Sequence, residues 1–499
     1  MRTPRRRRPD SGAPRTDDAG PVLRALGASV YAPTAIFAIG QGAIQPVLVL
    51  AAIKVGMSRP AAASVMGLLG LVGVVSAPLA GMVVARAGGR RSMVLGTVLA
   101  VGAASGIVAA VSVPSAVSVP SAVAVGVFVA AVVLQGIAGN LWGLARQGYV
   151  ADAVPVWARA RALSFLGGMM RLGVLVGPAI GSAVIVVAGL RGPFVLQAAM
   201  ALAALWLVLA KALPTAQLHE ARALAEAERL ATRQEPGAAP GPGTDGGAAA
   251  DAAPAPDPVT APEDATTGAP GDVAAPAPAT RTTPERTRTA VDLRASAVVA
   301  DAMTCLQLLR TNRNVLVPLW GTHLGMSEAL ISATFAAGAL LDVAMFLPSG
   351  RWMDRYGRLA GILPSLLIMG ASVVVTVVWT TPVGFVVGTC LMGFGNGFGS
   401  GIVMTMGADL APVPGRERFL GWWQGIGNVG AAAGPFIVSV LTATVGLTAG
   451  MWATAALGLV AGTWAWIAMP RAYAHAGIDM RGRSLPWPDA SRARRLTSE

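Results

Sequence analysis

Long apolar stretches alternate with short polar segments along most of the chain, and this alternation is its dominant pattern. The apolar stretches are about 20 residues long, the length that a helix needs to cross a hydrocarbon core of ~30 Å. They lie at residues 29–53, 61–85, 93–113, 122–147, 162–187, 193–213, 298–323, 329–353, 361–380, 383–407, 419–444 and 448–470. The pattern predicts an all-α membrane protein with twelve transmembrane helices, which we number as spans one to twelve.

Polar segments divide the twelve spans into two bundles of six. The predicted parts are a basic tail at 1–28, a first bundle at 29–213, a linker at 214–297, a second bundle at 298–470 and a C-terminal tail at 471–499. The linker is rich in Pro, Ala, Gly and Asp and has too little apolar surface to bury, so we expect it to be disordered. Its simplest role is that of a flexible tether, although regulation or partner binding is also open.

The two bundles carry the same sequence pattern, which indicates a duplication. Residues in and around spans four and five recur 257 positions later: Ala151-Asp152, Arg161 and Gly173-xxx-Gly177-Pro178 match Ala408-Asp409, Arg418 and Gly430-xxx-Gly434-Pro435. Residues around span two recur 269 positions later: Gly56-Met57-Ser58, Gly81, Arg86 and Gly88 match Gly325-Met326-Ser327, Gly350, Arg355 and Gly357. Internal repeats of this kind are typical of secondary transporters, which act on a small-molecule substrate.

The charges report topology. The formal net charge is +13, yet only 13% of the residues are charged and 54% are hydrophobic. Cations cluster in the short loops on one side, at Arg86, Arg90, Arg91, Arg146, Arg159, Arg161, Arg355, Arg358, Arg416, Arg418 and Arg471. The positive-inside rule then predicts a multi-pass protein of the cell (inner) membrane with cytoplasmic termini and linker, and no nucleic-acid partner.

Motifs for catalysis or cofactor binding are absent from the sequence. The two cysteines, Cys305 and Cys390, fall inside predicted spans without CxxC spacing or a histidine cluster, so no metal site is predicted. The sequence also has no nucleotide-binding P-loop, no HExxH and no nucleophile elbow. We therefore predict neither an enzyme nor a cofactor.

The loop after span eight carries the most specific motif. Its sequence, Gly350-Arg-Trp-Met-Asp354-Arg355-Tyr-Gly357-Arg358, resembles the G-x-x-x-D-R-x-G-R signature of the major facilitator superfamily. The loop after span two keeps the glycines and arginines but has Ala85 where the family has aspartate. The resemblance covers both bundles and implies two pseudo-symmetric six-helix bundles that work by alternating access, as a monomer.

The resemblance also implies a cytoplasmic gate. Asp354, Arg355, Gly357 and Arg358 are its predicted centre, because a carboxylate can bind helix N-terminal amides while arginines pair with nearby carboxylates. Further predicted members, at the equivalent ends of the spans, are the pair of Asp409 with Arg355 or Arg358 and the pair of Asp152 with Arg86 or Arg90. The alternative is that these arginines only set topology.

Span five contains a small-residue motif, Gly173-xxx-Gly177-Pro178, that resembles the antiporter motif of the family. Small residues let helices approach closely, and proline bends the span. The resemblance implies export of drugs or metabolites driven by protons. Close packing is the alternative, since span eleven has the same Gly-xxx-Gly-Pro pattern.

Four ionisable residues fall inside predicted spans, where a charge costs at least ~2.5 kcal/mol and therefore marks function: Arg171, Arg310, Arg313 and Asp342. Arg171 and Asp342 lie at similar depths in spans five and eight, so we hypothesise that they form a bridge between the halves that is coupled to transport. A static pair, or pairing of Asp342 with Arg310 in its own half, is the alternative.

Polar residues at helical spacing predict a substrate cavity around these charges. Its predicted lining comprises Gln41, Gln45, Gln135, Trp142, Gln307, Arg310, Arg313, Asn314 and Asn396, with Arg146 on the same face of span four. The sequence thus predicts export of small organic molecules, with protons as the exchanged ion. Uptake of an anionic nutrient, favoured by the buried arginines, and a non-transporting sensor or scaffold are the alternatives.

Overall fold

The structure is a computed structural model that describes residues 26–112, 121–154, 156–213, 291–412, 416–483 and 485. The predicted N-terminal tail up to residue 25, the linker up to residue 290 and the end of the C-terminal tail lie outside the described residues. The predicted disorder of the linker and the domain boundaries thus stay predictions.

The described residues form helices throughout, without a β-sheet. In the first half, span one comprises a π-helical turn (Gly27–Tyr31) and the helices Ala32–Ile44 and Leu48–Lys54. The next spans are Arg59–Ala87, Gly89–Ser112, Ser121–Ala153, Val156–Ala188 and Gly192–Lys211. In the second half, span seven is Leu293–His323, span eight is Glu328–Ala344 with Phe346–Tyr356, and span nine is Leu359–Val378. Span ten is Pro382–Phe398 with Ile402–Leu410, span eleven is Arg416–Thr444, and span twelve is Leu447–His475.

The described helices account for the predicted twelve spans. Eight helical segments are long and apolar enough to cross a membrane, and two bent pairs bring the number to ten. The segment Phe165–Lys211 holds parts of two spans, because the short 3-10 turn Gly189–Arg191 separates spans five and six. Span seven is the twelfth, and its polar stretch Arg310-Thr-Asn-Arg-Asn314 makes it less apolar than the others.

The turns of the two halves have the same backbone conformation. Gly56 and Gly325, Gly88 and Gly357, and Gly189 and Gly446 all have positive φ angles, between 63° and 117°. Glycine adopts this conformation without the penalty that a Cβ imposes. The duplication seen in the sequence is therefore also a duplication of helix ends.

The small-residue motifs of spans five and eleven bring helices into close contact. A Cβ on Gly173 would collide with Ala38, and one on Gly177 would lie 2.5 Å from the carbonyl oxygen of Ile39 in span one. In the second half, a Cβ on Gly434 would lie 2.5 Å from Oδ1 of Asn312 in span seven. Each motif thus packs its span against the first span of its own half, which the packing interpretation requires.

The helix connections define two ends of the bundle. The loops after spans two, four, eight and ten, which carry most of the loop arginines, form what we call the basic face, and the loops after spans one, five, seven and eleven form the opposite face. Three hydrogen bonds join the halves near the opposite face: Ser182 Oγ to Ala329 O (2.8 Å), Ser332 Oγ to Pro178 O (3.2 Å) and Ser439 Oγ to Pro60 O (2.7 Å). The halves are therefore tied together at the opposite face.

Candidate functional site

Two adjoining cavities lie between the helices at the middle of the spans. The charged cavity, about 310 Å³, lies between the halves and is lined by polar groups that include Arg171, Arg310, Arg313, Asn314, Asp342 and Asn396. The first-half cavity, about 390 Å³, is lined by residues that include Phe37, Gln41, Gln135, Asn140, Trp142 and Arg146. Gln45, Met170 and Val174 border both cavities, so the two adjoin at these residues.

Arg310 is held rigidly by span ten and by its own helix. Its Nε donates to Asn396 Oδ1 at 2.8 Å, Nη1 donates to Gln307 Oε1 at 3.0 Å, and Nη2 donates to the carbonyl of Gly399 at 2.7 Å. Three neutral acceptors fix the guanidinium without neutralising its charge. The residue therefore contributes a full positive charge to the cavity.

Asp342 pairs with Arg313 inside the second half. Nη1 of Arg313 lies 3.7 Å from Oδ2 of Asp342, and the same oxygen accepts a hydrogen bond from Asn396 Nδ2 at 2.5 Å. The Arg313 guanidinium also lies 4.6 Å from the ring centroid of Phe335. Asn396 thus links the carboxylate to Arg310, so that spans seven, eight and ten form one polar network.

Arg171 reaches this network from the first half without touching Asp342. Its Nη1 donates to Ser400 Oγ at 3.2 Å, and its guanidinium lies 4.0 Å from the ring centroid of Phe346. The predicted direct bridge from Arg171 to Asp342 is therefore not formed in this structure. Asp342 does pair within its own half, but with Arg313, and Asn396 lies between its carboxylate and Arg310.

Three broken spans meet at the charged cavity. Span one bends by 44° between Ile44 and Leu48, next to Gln45, and span eight bends by 40° at Met345, next to Asp342. Span ten is interrupted at Gly399 to Gly401, where Gly401 has a φ of 80°. Interrupted helices at membrane depth occur where they line a cavity, and they supply backbone groups to ligands in transporters.

The first-half cavity has a polar network of its own. Gln135 Nε2 donates to Gln41 Oε1 at 3.0 Å, which joins spans one and four. Phe37 and Trp142 stack with a centroid distance of 4.2 Å and an interplanar angle of 9°. Arg146, one helical turn from Trp142, lies 5.3 Å from the centroid of that ring and is only 8% exposed. Arg146 was predicted both as a loop cation and as a member of the polar face of span four. The structure places it on the polar face.

Two of the predicted second-half gate residues, Arg358 and Asp409, form an ion pair at the basic face. Of the two arginines that the sequence offered to Asp409, Arg358 makes the contact, with Nε at 2.7 Å and Nη2 at 3.0 Å from the two carboxylate oxygens. The hydrogen bonds to Asp409 raise the pKa of the Arg358 guanidinium. Tyr473 Oη donates to the same carboxylate at 3.3 Å. Arg355 and Asp354 are exposed, and Arg355 lies over Tyr356.

A segment beyond span twelve covers this gate, which the sequence analysis did not predict. The main-chain N–H of Arg358 donates to the carbonyl of Met480 at 2.6 Å. Asp479 Oδ1 accepts from the N–H groups of Arg481 and Arg483 and closes the turn. We call residues 477–483 the C-terminal strap.

The first-half gate residues do not make the predicted pair. Arg90 Nη2 donates to the carbonyl of Leu209 at 3.1 Å, and no ion pair joins Asp152 to Arg86 or Arg90 in the part of the chain that the structure describes. The Leu209 carbonyl is free to accept this hydrogen bond because it lies in the last turn of span six, where no N–H of the helix follows to donate to it. Within the same part of the chain, no three His, Cys, Asp or Glu side chains come together as a metal site.

Comparison with known proteins places these features in a family. A family model described as Major Facilitator Superfamily matches residues 32–261 and 302–496. Similar solved structures include a D-xylose–proton symporter, with 15% identity and a TM-score of 0.59 over 93% of this chain and 98% of that chain. They also include a POT family transporter in complex with 5-aminolevulinic acid, with 14% identity and a TM-score of 0.62 over 90% of this chain and 96% of that chain.

A peptide transporter POT in complex with sulfate has the same TM-score of 0.62, with 13% identity over 92% of this chain and 96% of that chain. At such identities the likeness shows the fold. No curated protein sequence matches the chain. The family match, by contrast, spans both helical bundles. The chain therefore belongs to the major facilitator superfamily, a family of multi-pass membrane transporters with two six-helix bundles.

Proposed function

We propose that this chain is a secondary transporter that moves small organic anions together with protons by alternating access. The observation that carries the proposal is the charge of the charged cavity. Three guanidinium groups, from Arg171, Arg310 and Arg313, face one carboxylate, from Asp342, which leaves a net charge of +2 at the middle of the membrane. A buried charge of this size is expensive, and an anionic ligand offsets it.

The arrangement of the halves supports alternating access. Hydrogen bonds tie the halves together at the opposite face, which favours access to the cavities from the basic face. If the basic face is cytoplasmic, as the arginine-rich loops predict, this conformation faces inward. Exchange with the other side then requires separation of the serine contacts to Ala329, Pro178 and Pro60 and closure of the two halves at the basic face.

Electrostatic linkage sets the direction of coupling. An anion that binds the arginines competes with Asp342 for the positive charge of Arg313 and adds negative charge beside its carboxylate. A proton on Asp342 removes this competition, so proton and anion favour each other's binding, and the effect is reciprocal. A transporter on which proton and anion strengthen each other's binding moves both in the same direction. When the proton gradient points inward, this co-transport results in uptake of the anion.

Export in exchange for protons is the second candidate, and one observation favours it. The Gly173-xxx-Gly177-Pro178 motif of span five resembles that of antiporters, and its proline lies at the interface between the halves, where the Pro178 carbonyl accepts from Ser332. Antiport requires that substrate binding expel a proton, which suits a substrate with a cationic or neutral group at Asp342. The two candidates thus predict opposite proton movements.

Proton movement in proteoliposomes tests the proposal. The purified chain is reconstituted with a pH-sensitive dye inside, and membrane-impermeant phosphate monoesters, dicarboxylates and sulfonates are added outside, each beside a neutral analogue of equal size. Co-transport acidifies the interior, antiport makes it alkaline, and Arg313→Gln abolishes either signal. Equal responses to anions and to their neutral analogues overturn the anionic substrate class.

Asp342→Asn separates the proton from the substrate. The amide keeps the size of the side chain but cannot bind the coupled proton, so we expect exchange of labelled anion to continue while proton movement stops. A variant that still moves protons with the anion shows that another group carries them.

A further inference from the structure

The first-half cavity gathers buried polar atoms that lack a hydrogen-bond partner. In the described part of the chain, five of the fourteen such side-chain atoms belong to four residues that line this cavity: Gln41 Nε2, Gln135 Oε1, Trp142 Nε1, and Nε and Nη1 of Arg146. Each buried group without a partner costs on the order of 1–3 kcal/mol. Four of the five atoms are hydrogen-bond donors, so the cavity wall is specifically short of acceptors.

Arg146 is the strongest of these donors. It lies seven residues before the end of span four at Ala153, about 10 Å from that end, where a cation set there only for topology has no reason to be buried. No carboxylate lies within ion-pair distance of it among the described residues, whose three ion pairs involve other cations. Its near neighbour is the Trp142 ring, which attracts the cation but accepts no conventional hydrogen bond.

Apart from Gln45 and Asn140, the remaining walls of the cavity are apolar. Ile44, Leu48, Met66 and Leu69 line one side, and the cavity adjoins the charged cavity at Gln45, Met170 and Val174. Arg146 lies about 10 Å from the end of span four, whereas Arg171 lies fifteen residues, roughly 22 Å, from the adjoining start of span five at Val156, so the two arginines differ in depth by roughly 12 Å. The two adjoining cavities together thus hold positive charge at two depths and meet at Gln45, Met170 and Val174.

We propose that Arg146, with Trp142, forms a second anion-binding site, and that the substrate is an elongated molecule with an acidic group at each end. One acidic group binds Arg171, Arg310 and Arg313 in the charged cavity, and the other accepts from Nε and Nη1 of Arg146 once its long side chain rotates towards the cavity. The apolar body lies between them. The first acidic group of the substrate rests on the proposed function. The second acidic group is inferred from the buried, unpartnered donors of Arg146 alone.

Calorimetric titration of the purified full chain with three probes tests the second site. Dodecanedioate has two carboxylates at roughly the required separation, its monomethyl ester has one, and succinate is too short to reach both sites. We expect dodecanedioate to bind at least tenfold more tightly than its monoester, because a charge-assisted hydrogen bond contributes ~1.5–3 kcal/mol. Arg146→Gln should remove that difference without changing the affinity for the monoester or for succinate, and Arg146→Lys should restore part of it.

The outcomes separate this inference from the proposed function. Equal affinities for diacid and monoester in the unchanged chain, or an unchanged difference in a folded Arg146→Gln protein, overturn the second site. Loss of succinate binding in Arg310→Gln tests the charged cavity independently. If Arg146→Gln does not fold, Trp142→Phe provides the second variant, since it keeps the ring, removes Nε1 and should narrow the same difference.

Discussion

The loops after spans two and eight descend from one ancestral sequence, yet they are held in place differently. Both follow a long span and end at a glycine of positive φ, Gly88 in the first half and Gly357 in the second. In the second half, Arg358 binds Asp409 with two hydrogen bonds and the C-terminal strap covers the turn. In the first half, Arg90 donates only to the carbonyl of Leu209.

The difference shows that a duplicated motif keeps its turn more readily than its ion pair. A glycine turn depends on one residue, whereas the Arg358–Asp409 pair depends on spans eight to ten, on Tyr473 of span twelve and on the strap. The second half is therefore fastened at the basic face by its own contacts. We infer that opening and closing at this face involve the first-half loop more than the second.

Removal of the second-half ion pair should have the largest effect. Arg358→Gln removes the opposite charge and both guanidinium hydrogen bonds from Asp409, whose side chain is only 10% exposed, and breaking such a pair costs ~3 kcal/mol. The matched variant Arg90→Gln loses one hydrogen bond to a carbonyl, worth about 1 kcal/mol or less. Thermal unfolding of both purified variants measures the contrast, and equal shifts would show that the halves are equally fastened.

Replacement of the turn glycine should come next. Gly357→Ala places a Cβ at a φ of 93° and 2.6 Å from the carbonyl oxygen of Met480, so it strains the backbone and displaces the strap. Gly56→Ala has a φ of 103° but open space around its Cβ, so it carries the backbone strain alone, about 1 kcal/mol. We expect Gly357→Ala to lower the unfolding midpoint clearly more than Gly56→Ala. A Gly56→Ala shift as large as that of Gly357→Ala would mean that the strap does not hold the turn.

Loosening the strap itself should have a smaller effect. Asp479→Ala removes the acceptor of the Arg481 and Arg483 N–H groups, a loss of ~1 kcal/mol that is confined to the turn. The expected result is faster trypsin cleavage after Arg481, followed by mass spectrometry, with little change in global unfolding. Asp152→Ala in the first half is the control. If Asp152→Ala accelerates cleavage after Arg481 as much as Asp479→Ala does, the effect is not local to the strap.

Restoration of the missing first-half carboxylate should have the smallest effect. Ala85→Asp supplies the residue that the family pattern has at this position, on an exposed site beside Arg86. A carboxylate at an exposed helix end changes stability by ~0.3–1 kcal/mol. We expect a small change in the unfolding midpoint, and a shift as large as that of Arg358→Gln would show that this single residue accounts for the asymmetry.

Local sequence pattern was sufficient for the architecture. The twelve spans and the paired turns follow from apolar length and from glycine positions, because both depend on neighbouring residues. The residues predicted around Arg310 and Asp342 also come together, since charges inside spans have few places to go. The transport roles of these residues stay predictions.

Long-range packing accounts for what the sequence did not show. The choice of Arg313 over Arg171 as the partner of Asp342 depends on where Phe335 and Phe346 place each guanidinium. The breaks of spans eight and ten, by contrast, had local signals: Pro348 has no N–H for the carbonyl of Ala344, and Gly399-Ser400-Gly401 interrupts span ten. The strap depends on contacts that a hydropathy pattern does not encode.

The net charge of +2 in the charged cavity has an electrical consequence. An elementary charge that crosses a membrane potential of 100 mV changes its energy by ~2.3 kcal/mol, so moving this cavity through a tenth of the field does ~0.5 kcal/mol of work. A bound anionic group reduces this charge and with it the work. The empty and the loaded protein are thus expected to respond differently to the same voltage, and the empty protein more strongly.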